Sequence, residues 1–251
     1  MPRIRGVLFD LDDTLHDYTA SDRAGLIEHL RVEGLLERFA DPAEAYALWR
    51  RIMDEEYARF LAGELTFTAQ RATRTRRFLA RADPARREVP EADALDWFAR
   101  YAALRDAAWR AFPDAEPALR ALTAGHRLGV VSNSSTAHQL GNLRATGLLR
   151  YFADGTVVCS AEHGAAKPAE SIFHAGCAAL GLPPHQVAYV GDRYDLDAVG
   201  ARDAGLHAYW LDRSGAGPDG GADAAAGNAA IQVIRSLAEL PTALRALGDA
   251  G

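Results

Sequence analysis

Short β-prone apolar runs alternate with helical segments from Phe112 onward. The apolar runs lie at residues 127–132, 156–159, 187–190, 207–211 and 231–234. Alternation of this kind is typical of a parallel sheet in which each connection is a right-handed helical crossover. A further run at residues 7–9 is apolar on both faces, as expected of a buried parallel strand. The sequence therefore predicts an α/β fold with one parallel sheet and helices on both of its faces.

Residues 17–111 interrupt this alternation with a different pattern. Apolar side chains recur there at spacings of three and four residues, which predicts amphipathic helices rather than strands. Trp49, Tyr57 and Phe60 stand at helical spacing and are expected in the core of this segment. We predict four helices packed as an inserted bundle. The expected domains are an α/β core of residues 1–16 and 112–251 and a helical cap of residues 17–111.

The composition favours a globular protein that binds neither nucleic acid nor membranes. Of its 251 residues, 49% are hydrophobic, which is enough for a packed interior. The formal net charge is −6, and the sequence has no basic stripe to attract a phosphate backbone or an acidic lipid surface. No apolar run approaches the roughly 20 residues that span a bilayer, and no signal peptide is evident. We expect a cytoplasmic protein in which Cys159 and Cys177 are small core residues.

Three aspartates follow the first strand within four positions. Asp10 and Asp12 stand two residues apart, so their side chains can leave the chain on the same side. Asp13 and Thr14 complete the run and are expected to support the turn. Carboxylates held this close repel one another, and a cation, a proton or both relieve the repulsion. An acidic turn that only ends the strand is the alternative interpretation.

Polar side chains also follow later elements of the predicted sheet. Ser132 and Asn133 end the second strand, and Lys167 lies in a loop before a helix. Asp192 follows the apolar run at 187–190, and Asp197 comes five residues later. Ligands of open parallel sheets sit at the carboxyl ends of the strands, near the point where the strand order reverses. Each group alone is ordinary turn chemistry, but the whole set at one edge indicates a catalytic or binding site.

This ordered set resembles the four motifs of the haloacid dehalogenase (HAD) superfamily of phosphohydrolases. The matching positions, in motif order, are residues 10–14, Ser132 with Asn133, Lys167, and Asp192 with Asp197. The resemblance covers residues 1–16 and 112–251, and the insertion is similar to the helical cap of one subgroup. It implies a Rossmann-like core, a helical cap and a phosphatase that requires Mg²⁺. The motifs are specific for the superfamily and say little about the substrate.

The resemblance implies a reaction through an aspartyl-phosphate intermediate. Asp10 would attack phosphorus as the nucleophile. Mg²⁺ prefers carboxylate and carbonyl oxygens together with water, which matches Asp10, the Asp12 carbonyl and Asp192 as ligands. Asp12 would protonate the leaving alcohol and then activate the water that breaks the acyl phosphate. Nearby carboxylates are expected to raise the pKa of Asp12, so that it holds the proton that the first step needs.

Five further residues are expected to bind phosphate or to support the site. The Ser132 hydroxyl and the backbone N–H of Asn133 would donate hydrogen bonds to phosphoryl oxygens. Lys167 would place a positive charge beside the phosphate and beside the nucleophile. Asp197 would orient Lys167 or a water molecule. Thr14 would hold a catalytic carboxylate in place.

Other activities stay open at this stage. Asp12 favours a phosphatase over a 2-haloacid dehalogenase, because displacement of halide from carbon leaves no alcohol to protonate. A hexose-phosphate mutase uses the same intermediate, although Asp13 stands where such mutases usually have glycine. A phosphonate-cleaving activity does not fit, because residues 17–111 contain no lysine to form its imine. Outside enzymes, the alternative is a non-catalytic regulator that binds a phosphorylated ligand.

We expect the helical insertion to select the substrate, a small phosphorylated metabolite such as a nucleotide or sugar phosphate. Its arginine run either grips a second anionic group or forms a solvated helix face; the run consists of Arg71, Arg74, Arg76 and Arg77. His16 lies where the chain enters the insertion and either lines the pocket or packs at the hinge. We expect the protein to act as a monomer or a homodimer.

Overall fold

The chain forms two compact units in the computed structural model, which describes residues 3–217 and 231–249. One unit contains the described residues up to Tyr18 and those from Arg110 onward. The other unit is Thr19–Trp109. The sequence also predicts a glycine- and alanine-rich loop at residues 213–228, and most of it lies outside the described residues.

Within the described ranges, six parallel strands form the sheet of the first unit. They are β1 Gly6–Phe9, β2 Arg127–Ser132, β3 Val157–Cys159, β4 Val187–Gly191, β5 His207–Leu211 and β6 Ile231–Ile234. The strands lie in the order β3-β2-β1-β4-β5-β6, and every neighbouring pair is parallel. The strand order reverses at β1 and β4. Such a reversal opens a crevice at the carboxyl ends of the two central strands, where ligands of doubly wound sheets bind.

The described residues form α-helices in both units. In chain order they are α1 Tyr18–Val32, α2 Pro42–Leu61, α3 Phe67–Ala82, α4 Glu91–Ala107, α5 Ala115–Thr123, α6 Thr136–Ala145, α7 Ser160–His163, α8 Glu170–Leu180, α9 Gly200–Asp203 and α10 Leu240–Asp249. Asp41 and Thr66 begin α2 and α3, because each side chain accepts a backbone N–H of the first helical turn. No helix in the described part of the chain is both long and apolar enough to cross a lipid bilayer.

Helices cover both faces of the sheet. On one face, Val7 and Phe9 of β1 pack in a core with side chains of α5, α6 and α10. On the other face, Leu8 and Val131 pack with side chains of α8 and α9. Successive residues of a strand point to opposite faces, so the continuous apolar runs of the sequence fill two cores. The predicted α/β fold with a Rossmann-like parallel sheet and helices on both faces is confirmed.

An aromatic core holds the helices of the second unit together. The rings of four side chains that are at most 2% exposed lie 4.9–6.3 Å apart; they belong to Trp49, Phe78, Trp97 and Tyr101. Such pairs add about 0.5–1.5 kcal/mol each beyond the area that they bury. Trp49 is buried as the sequence predicts, whereas Tyr57 and Phe60 are only half-buried. That this unit serves as a cap stays a prediction.

The segment after β4 is less regular than the helix that the sequence predicts at residues 195–204. The structure has a π-helix, Tyr194–Val199, followed by α9. The Asp197 carboxylate accepts the backbone N–H of Arg193 at 2.9 Å, and the Asp197 N–H donates to the Arg193 carbonyl oxygen at 2.8 Å. The turns of a π-helix are wider than those of an α-helix. Wide turns of this kind are frequent at functional sites.

Both cysteines are buried and free. Cys159 ends β3, and Cys177 lies in α8. Burial raises the pKa of the Cys159 thiol to about 12 and that of Cys177 to about 11. Both side chains are therefore protonated at neutral pH and act as small core residues.

Candidate active site

The predicted site residues leave the sheet at the carboxyl ends of its central strands. Phe9, the last residue of β1, is paired with β2 on one side and with β4 on the other. Asp10 follows, and its backbone N–H donates to the Val190 carbonyl oxygen of β4 at 2.9 Å. Ser132 ends β2, and Asp192 directly follows β4. The parallel register therefore brings these residues to the edge where the strand order reverses.

Three carboxylates converge at this edge. Asp10, Asp192 and Asp197 each offer one oxygen atom, and the three atoms lie within 4.8 Å of one another. Hard oxygen ligands at this spacing suit Mg²⁺, so the donor set fits the predicted ion. The sequence predicts the Asp12 carbonyl oxygen as a ligand, whereas the third carboxylate of this cluster belongs to Asp197. The sequence predicts only a supporting role for Asp197, the orientation of Lys167 or a water molecule.

Lys167 is the positive centre of the cluster. Its side chain is 4% exposed, and its Nζ lies 2.8 Å from Asp10 Oδ1 and 2.6 Å from Asp197 Oδ1. The ammonium group also donates to the Tyr189 hydroxyl oxygen at 3.0 Å. These contacts use the three N–H donors of an ammonium group. Lys167 therefore holds the two carboxylates together, and any effect on a phosphate group is exerted through its charge.

Burial and crowding change the protonation of the cluster. Burial raises the pKa of Asp10 to about 7, with help from Asp197 and Asp12 and against the opposing effect of Lys167. Burial also raises the pKa of Asp192 well above its ordinary value, and the neighbouring carboxylates add to this effect. Burial lowers the pKa of Lys167, but Asp10 and Asp197 outweigh it and hold that pKa well above its ordinary value. A cation bound by these carboxylates displaces the protons that they hold.

Asn133 fixes the loop that carries Lys167. Its side-chain amide nitrogen donates to the Lys167 carbonyl oxygen at 3.0 Å. Its amide oxygen accepts the Lys167 backbone N–H at 2.6 Å. The sequence predicts phosphate binding by the backbone of Asn133, and the structure gives its side chain a separate task. This pair of hydrogen bonds ties the Lys167 loop to the end of β2.

The turn after β1 presents Thr14 to the acidic cluster. Asp13 has a φ of +57°, a left-handed conformation that Asp and Asn tolerate better than most residues. Thr14 is fully buried, and its hydroxyl donates to Asp192 Oδ1 at 3.3 Å. Its carbonyl oxygen accepts from Arg213, whose guanidinium also forms a two-pronged pair with Asp114. Thr14 therefore links the turn to a carboxylate of the site.

Gln139 connects Asp12 with Ser132. Ser132 is 2% exposed, and Gln139 of α6 is fully buried. The Gln139 amide nitrogen donates to the Ser132 hydroxyl oxygen at 2.9 Å and to Asp12 Oδ2 at 3.3 Å. Sequence reasoning missed Gln139, because one glutamine in a helix looks like an ordinary polar residue. The missed signal is its place one turn into the helix that follows Ser132 and Asn133.

Tyr189 is a second residue that sequence reasoning missed. It lies in β4, and its hydroxyl oxygen is 3.0 Å from Asp197 Oδ1 and 3.1 Å from the Val131 carbonyl oxygen. Burial raises the pKa of Tyr189 well above its ordinary value, so the phenol is neutral. A tyrosine in an apolar strand usually belongs to the core. The available signal is its position two residues before the end of β4.

His16 is a buried neutral histidine close to the turn after β1. It is fully buried, and its Nε2 lies 3.0 Å from Thr146 Oγ1. Its backbone forms bridges with Asp12 and with Ala111. Burial lowers the pKa of His16 to about 4, and His138 adds to this effect. Of the two roles predicted for His16, these contacts favour packing.

The arginine run of α3 is largely engaged within the second unit. Arg74 is 4% exposed, and its guanidinium lies 4.5 Å from the centre of the Trp49 ring and 4.8 Å from that of Phe98. Arg77 forms an ion pair with the buried Glu56. The interpretation of this run as a solvated helix face is therefore wrong for Arg74. That any of these arginines contacts a substrate stays a prediction.

Comparison with known proteins identifies the family. A family model described as haloacid dehalogenase-like hydrolase matches residues 4–205. The glyceraldehyde 3-phosphate phosphatase of Methanopyrus kandleri is 31% identical over 207 residues, which are 81% of this chain and 82% of that protein. The N-acylneuraminate-9-phosphatase of Rattus norvegicus is 26% identical over 258 residues, 98% of this chain and 96% of that protein. The predicted enzyme class, a phosphatase-type hydrolase of this superfamily, is confirmed.

Solved structures share the fold. The magnesium-bound structure of the HAD-hydrolase YfnB from Bacillus subtilis has a TM-score of 0.80 at 22% identity and covers 97% of this chain and 100% of its own. A 2-haloacid dehalogenase from Pseudomonas syringae pv. Tomato DC3000 has a TM-score of 0.63 at 23% identity, with coverages of 97% and 99%. At these identities the likeness shows the fold alone. By its sequence motifs, its fold and its relatives, the chain belongs to the haloacid dehalogenase-like hydrolase family.

Proposed function

We propose that this hydrolase is a Mg²⁺-dependent phosphomonoesterase that acts on a small phosphorylated metabolite of the cytoplasm through an aspartyl-phosphate on Asp10. The observation that carries this proposal is a buried Asp10 held 2.8 Å from Lys167 within a cluster of three carboxylates. The phosphatase names of the relatives support the reaction class. Asp10, Asp192 and Asp197, with the Asp12 carbonyl, would hold Mg²⁺, which supplies positive charge against the phosphoryl group.

In the first half of the reaction Asp10 is the nucleophile. One of its oxygens forms a bond to phosphorus as the bond from phosphorus to the leaving oxygen breaks. Lys167 holds the Asp10 carboxylate in place and reduces its repulsion of the incoming anion. Asp12 gives its proton to the leaving oxygen, so the product departs as a neutral alcohol.

In the second half Asp12 acts as the base. It takes a proton from a water molecule as the water oxygen bonds to phosphorus. The bond between phosphorus and the Asp10 oxygen breaks, which releases inorganic phosphate and restores the carboxylate. Ser132, with the backbone N–H of Asn133, donates to phosphoryl oxygens in both halves. The enzyme thus returns to its starting state with Asp12 protonated.

Replacement of the nucleophile tests the proposal. We expect Asp10→Asn to abolish hydrolysis of p-nitrophenyl phosphate while the protein still folds. Asp195→Asn is the matched control, because Asp195 is exposed and lies two residues from Asp197. When wild-type enzyme is quenched with acid during turnover, borohydride should reduce the aspartyl-phosphate. The peptide that contains Asp10 should then carry homoserine at that position. Full activity of Asp10→Asn would contradict the assignment of Asp10 as the nucleophile. Conversion of another aspartate to homoserine would contradict it as well.

Removal of the metal tests the cation. We expect EDTA to stop hydrolysis of p-nitrophenyl phosphate and Mg²⁺ to restore it, because the three carboxylates otherwise repel the substrate. Far-UV circular dichroism before and after chelation checks that the fold persists. Turnover that is indifferent to chelation would exclude the metal role.

A substrate panel separates the remaining alternatives. It should contain nucleotide and sugar phosphates, together with glyceraldehyde 3-phosphate and N-acylneuraminate 9-phosphate, which the relatives are named for. Release of chloride from 2-chloropropionate would indicate a dehalogenase, and interconversion of hexose phosphates without free phosphate would indicate a mutase. Binding without turnover would indicate a regulator. The oligomeric state, monomer or homodimer, stays a prediction.

A further inference from the structure

Gln139 is a buried polar residue that the proposed reaction does not use. It is fully buried in α6, within the first unit. Its amide nitrogen has two hydrogens, and the two acceptors within reach are Ser132 Oγ at 2.9 Å and Asp12 Oδ2 at 3.3 Å. A buried amide costs free energy unless it is fully bonded, so an apolar residue would suit a purely structural position as well. Its two acceptors belong to the proposed acid–base residue, Asp12, and to Ser132, a proposed donor to the phosphoryl oxygens.

A hydrogen bond from Asn142 fixes the orientation of the Gln139 amide. The Asn142 side-chain nitrogen donates to Gln139 Oε1 at 2.8 Å. A reversed Gln139 amide would face that donor with its own N–H groups. Asn142 is 3% exposed, and its backbone carbonyl oxygen accepts from the Thr146 hydroxyl at 2.9 Å. Thr146 in turn contacts His16 at 3.0 Å, and the backbone of His16 is bridged to Asp12. These contacts lead from Gln139 to Asp12, which is itself an acceptor of the Gln139 amide.

This geometry has a consequence for each acceptor. In a protonated carboxyl the carbonyl oxygen accepts hydrogen bonds better than the hydroxyl oxygen, so the N–H that Gln139 donates to Asp12 Oδ2 favours the proton on the other oxygen. The acidic proton of Asp12 therefore belongs on Oδ1. Because Ser132 Oγ also accepts from Gln139, the hydroxyl hydrogen of Ser132 is directed elsewhere. That hydrogen is then available to a phosphoryl oxygen.

We propose that Gln139 is a positioning residue that selects Oδ1 of Asp12 as the atom that delivers the proton and directs the Ser132 hydroxyl hydrogen toward the phosphoryl group. The inference rests on the proposed function. In the step concerned, the bond from Asp10 to phosphorus forms, the bond from phosphorus to the leaving oxygen breaks, and the proton passes from Asp12 Oδ1 to that oxygen. Gln139 acts through its hydrogen bonds to Asp12 and Ser132.

The test is the dependence of Gln139→Met on the leaving group. Methionine keeps the length of the side chain and removes both donors. For ethyl phosphate, whose alkoxide must be protonated, kcat/KM should fall about 100-fold, within the usual range of general acid catalysis. For p-nitrophenyl phosphate, whose phenolate leaves without a proton, the fall should stay below about tenfold. The Ki of inorganic phosphate should rise about three- to tenfold, the worth of one weakened hydrogen bond from Ser132.

Gln232→Met in β6 is the matched control, because it makes the same exchange away from the site. It should leave both esters unaffected. Equal losses of Gln139→Met on both esters, together with a lower melting temperature, would assign Gln139 a structural role and overturn the inference. An unchanged kcat/KM on both esters would overturn it as well. Wild-type enzyme that hydrolyses neither ester would instead contradict the proposed function, so the two failures are distinguishable.

Discussion

Lys167→Met removes the positive centre of the site, and its cost in stability follows from the distances and burial of the contacts that Lys167 makes. Lys167 Nζ lies 2.8 Å from Asp10 Oδ1 and 2.6 Å from Asp197 Oδ1, and all three groups are almost fully buried. At an effective dielectric constant of about 20, each contact contributes about 6 kcal/mol of gross attraction. Desolvation offsets much of this, and removal of one partner of a buried pair typically costs about 3–5 kcal/mol. We therefore expect Lys167→Met to lower the free energy of unfolding by about 3–5 kcal/mol at pH 8 in the presence of EDTA.

The loss should depend on pH, because protons can replace the missing charge. The pKa of Asp10 is already about 7 with Lys167 beside it, and loss of the ammonium group raises that pKa further. At pH 5 the carboxyl of Asp10 is therefore neutral in the variant, and less uncompensated charge remains. The free energy of unfolding should fall less at pH 5 than at pH 8. Turnover should be lost at both values.

Urea unfolding with EDTA, followed by far-UV circular dichroism, measures the effect. Arg202→Met is the matched control, because it breaks a more exposed pair with Asp203 and should cost less than about 1 kcal/mol. Lys167 is the single lysine of the sequence, so ¹³C-labelled lysine gives one side-chain signal in the wild type. That signal should stay in its charged form throughout the stable pH range. A variant as stable as the control, or equally destabilised at both pH values, would refute the charge argument.

Three further predictions concern individual positions. A Cβ at Gly191 would overlap the Asp197 side chain, so Gly191→Ala should lower kcat about 100-fold in a p-nitrophenyl phosphate assay. A Cβ at Gly25 would lie 2.5 Å from the Arg105 backbone, so Gly25→Ala should lower the free energy of urea unfolding by about 1–3 kcal/mol. Burial lowers the pKa of His29 from 6.5 to about 4, so its stabilising effect is complete above pH 6.5 and is lost as the pH falls toward 4. His29→Gln should therefore reduce the stability lost between pH 7 and pH 5 by about 2 kcal/mol in urea unfolding.

The position of the acidic cluster could be predicted because the backbone alone dictates much of it. Asp10 and Asp192 each follow a short apolar strand, and parallel strands end at a common edge. Two residues placed there are brought together whenever the strands are neighbours. The sequence does not give the strand order by itself, so the expectation that Asp10 and Asp192 share one ion rests on the family resemblance. Lys167 lies in a loop and not at a strand end, so its expected place in the site also rests on that resemblance.

The residues that hold the site residues in place could not be predicted, because their contacts depend on how the helices and strands pack against one another. Tyr189 and Gln139 are single polar residues in an apolar strand and in an amphipathic helix. Some of their partners lie far away in the sequence, and the spacing of residues along the chain does not reveal such contacts. The burial of Arg74 could not be predicted for the same reason. Arginine is usually a surface residue, but the guanidinium of Arg74 stacks on two aromatic rings. The π-helix before α9 replaces part of the α-helix that the sequence predicts at residues 195–204, and the spacing of apolar residues does not reveal it.

The buried charges of the site do not balance within the protein. One ammonium group, that of Lys167, faces the carboxyls of Asp10, Asp192 and Asp197. Burial therefore raises the pKa of Asp10 to about 7 and that of Asp192 well above its ordinary value, and protons make up part of the deficit. A phosphate monoester would add further negative charge, and protonation of the nucleophile would abolish its reactivity. A divalent cation removes both difficulties, since it displaces the protons and attracts the ester. The charge imbalance that destabilises the three carboxylates thus favours the cation and the substrate that the proposed reaction needs.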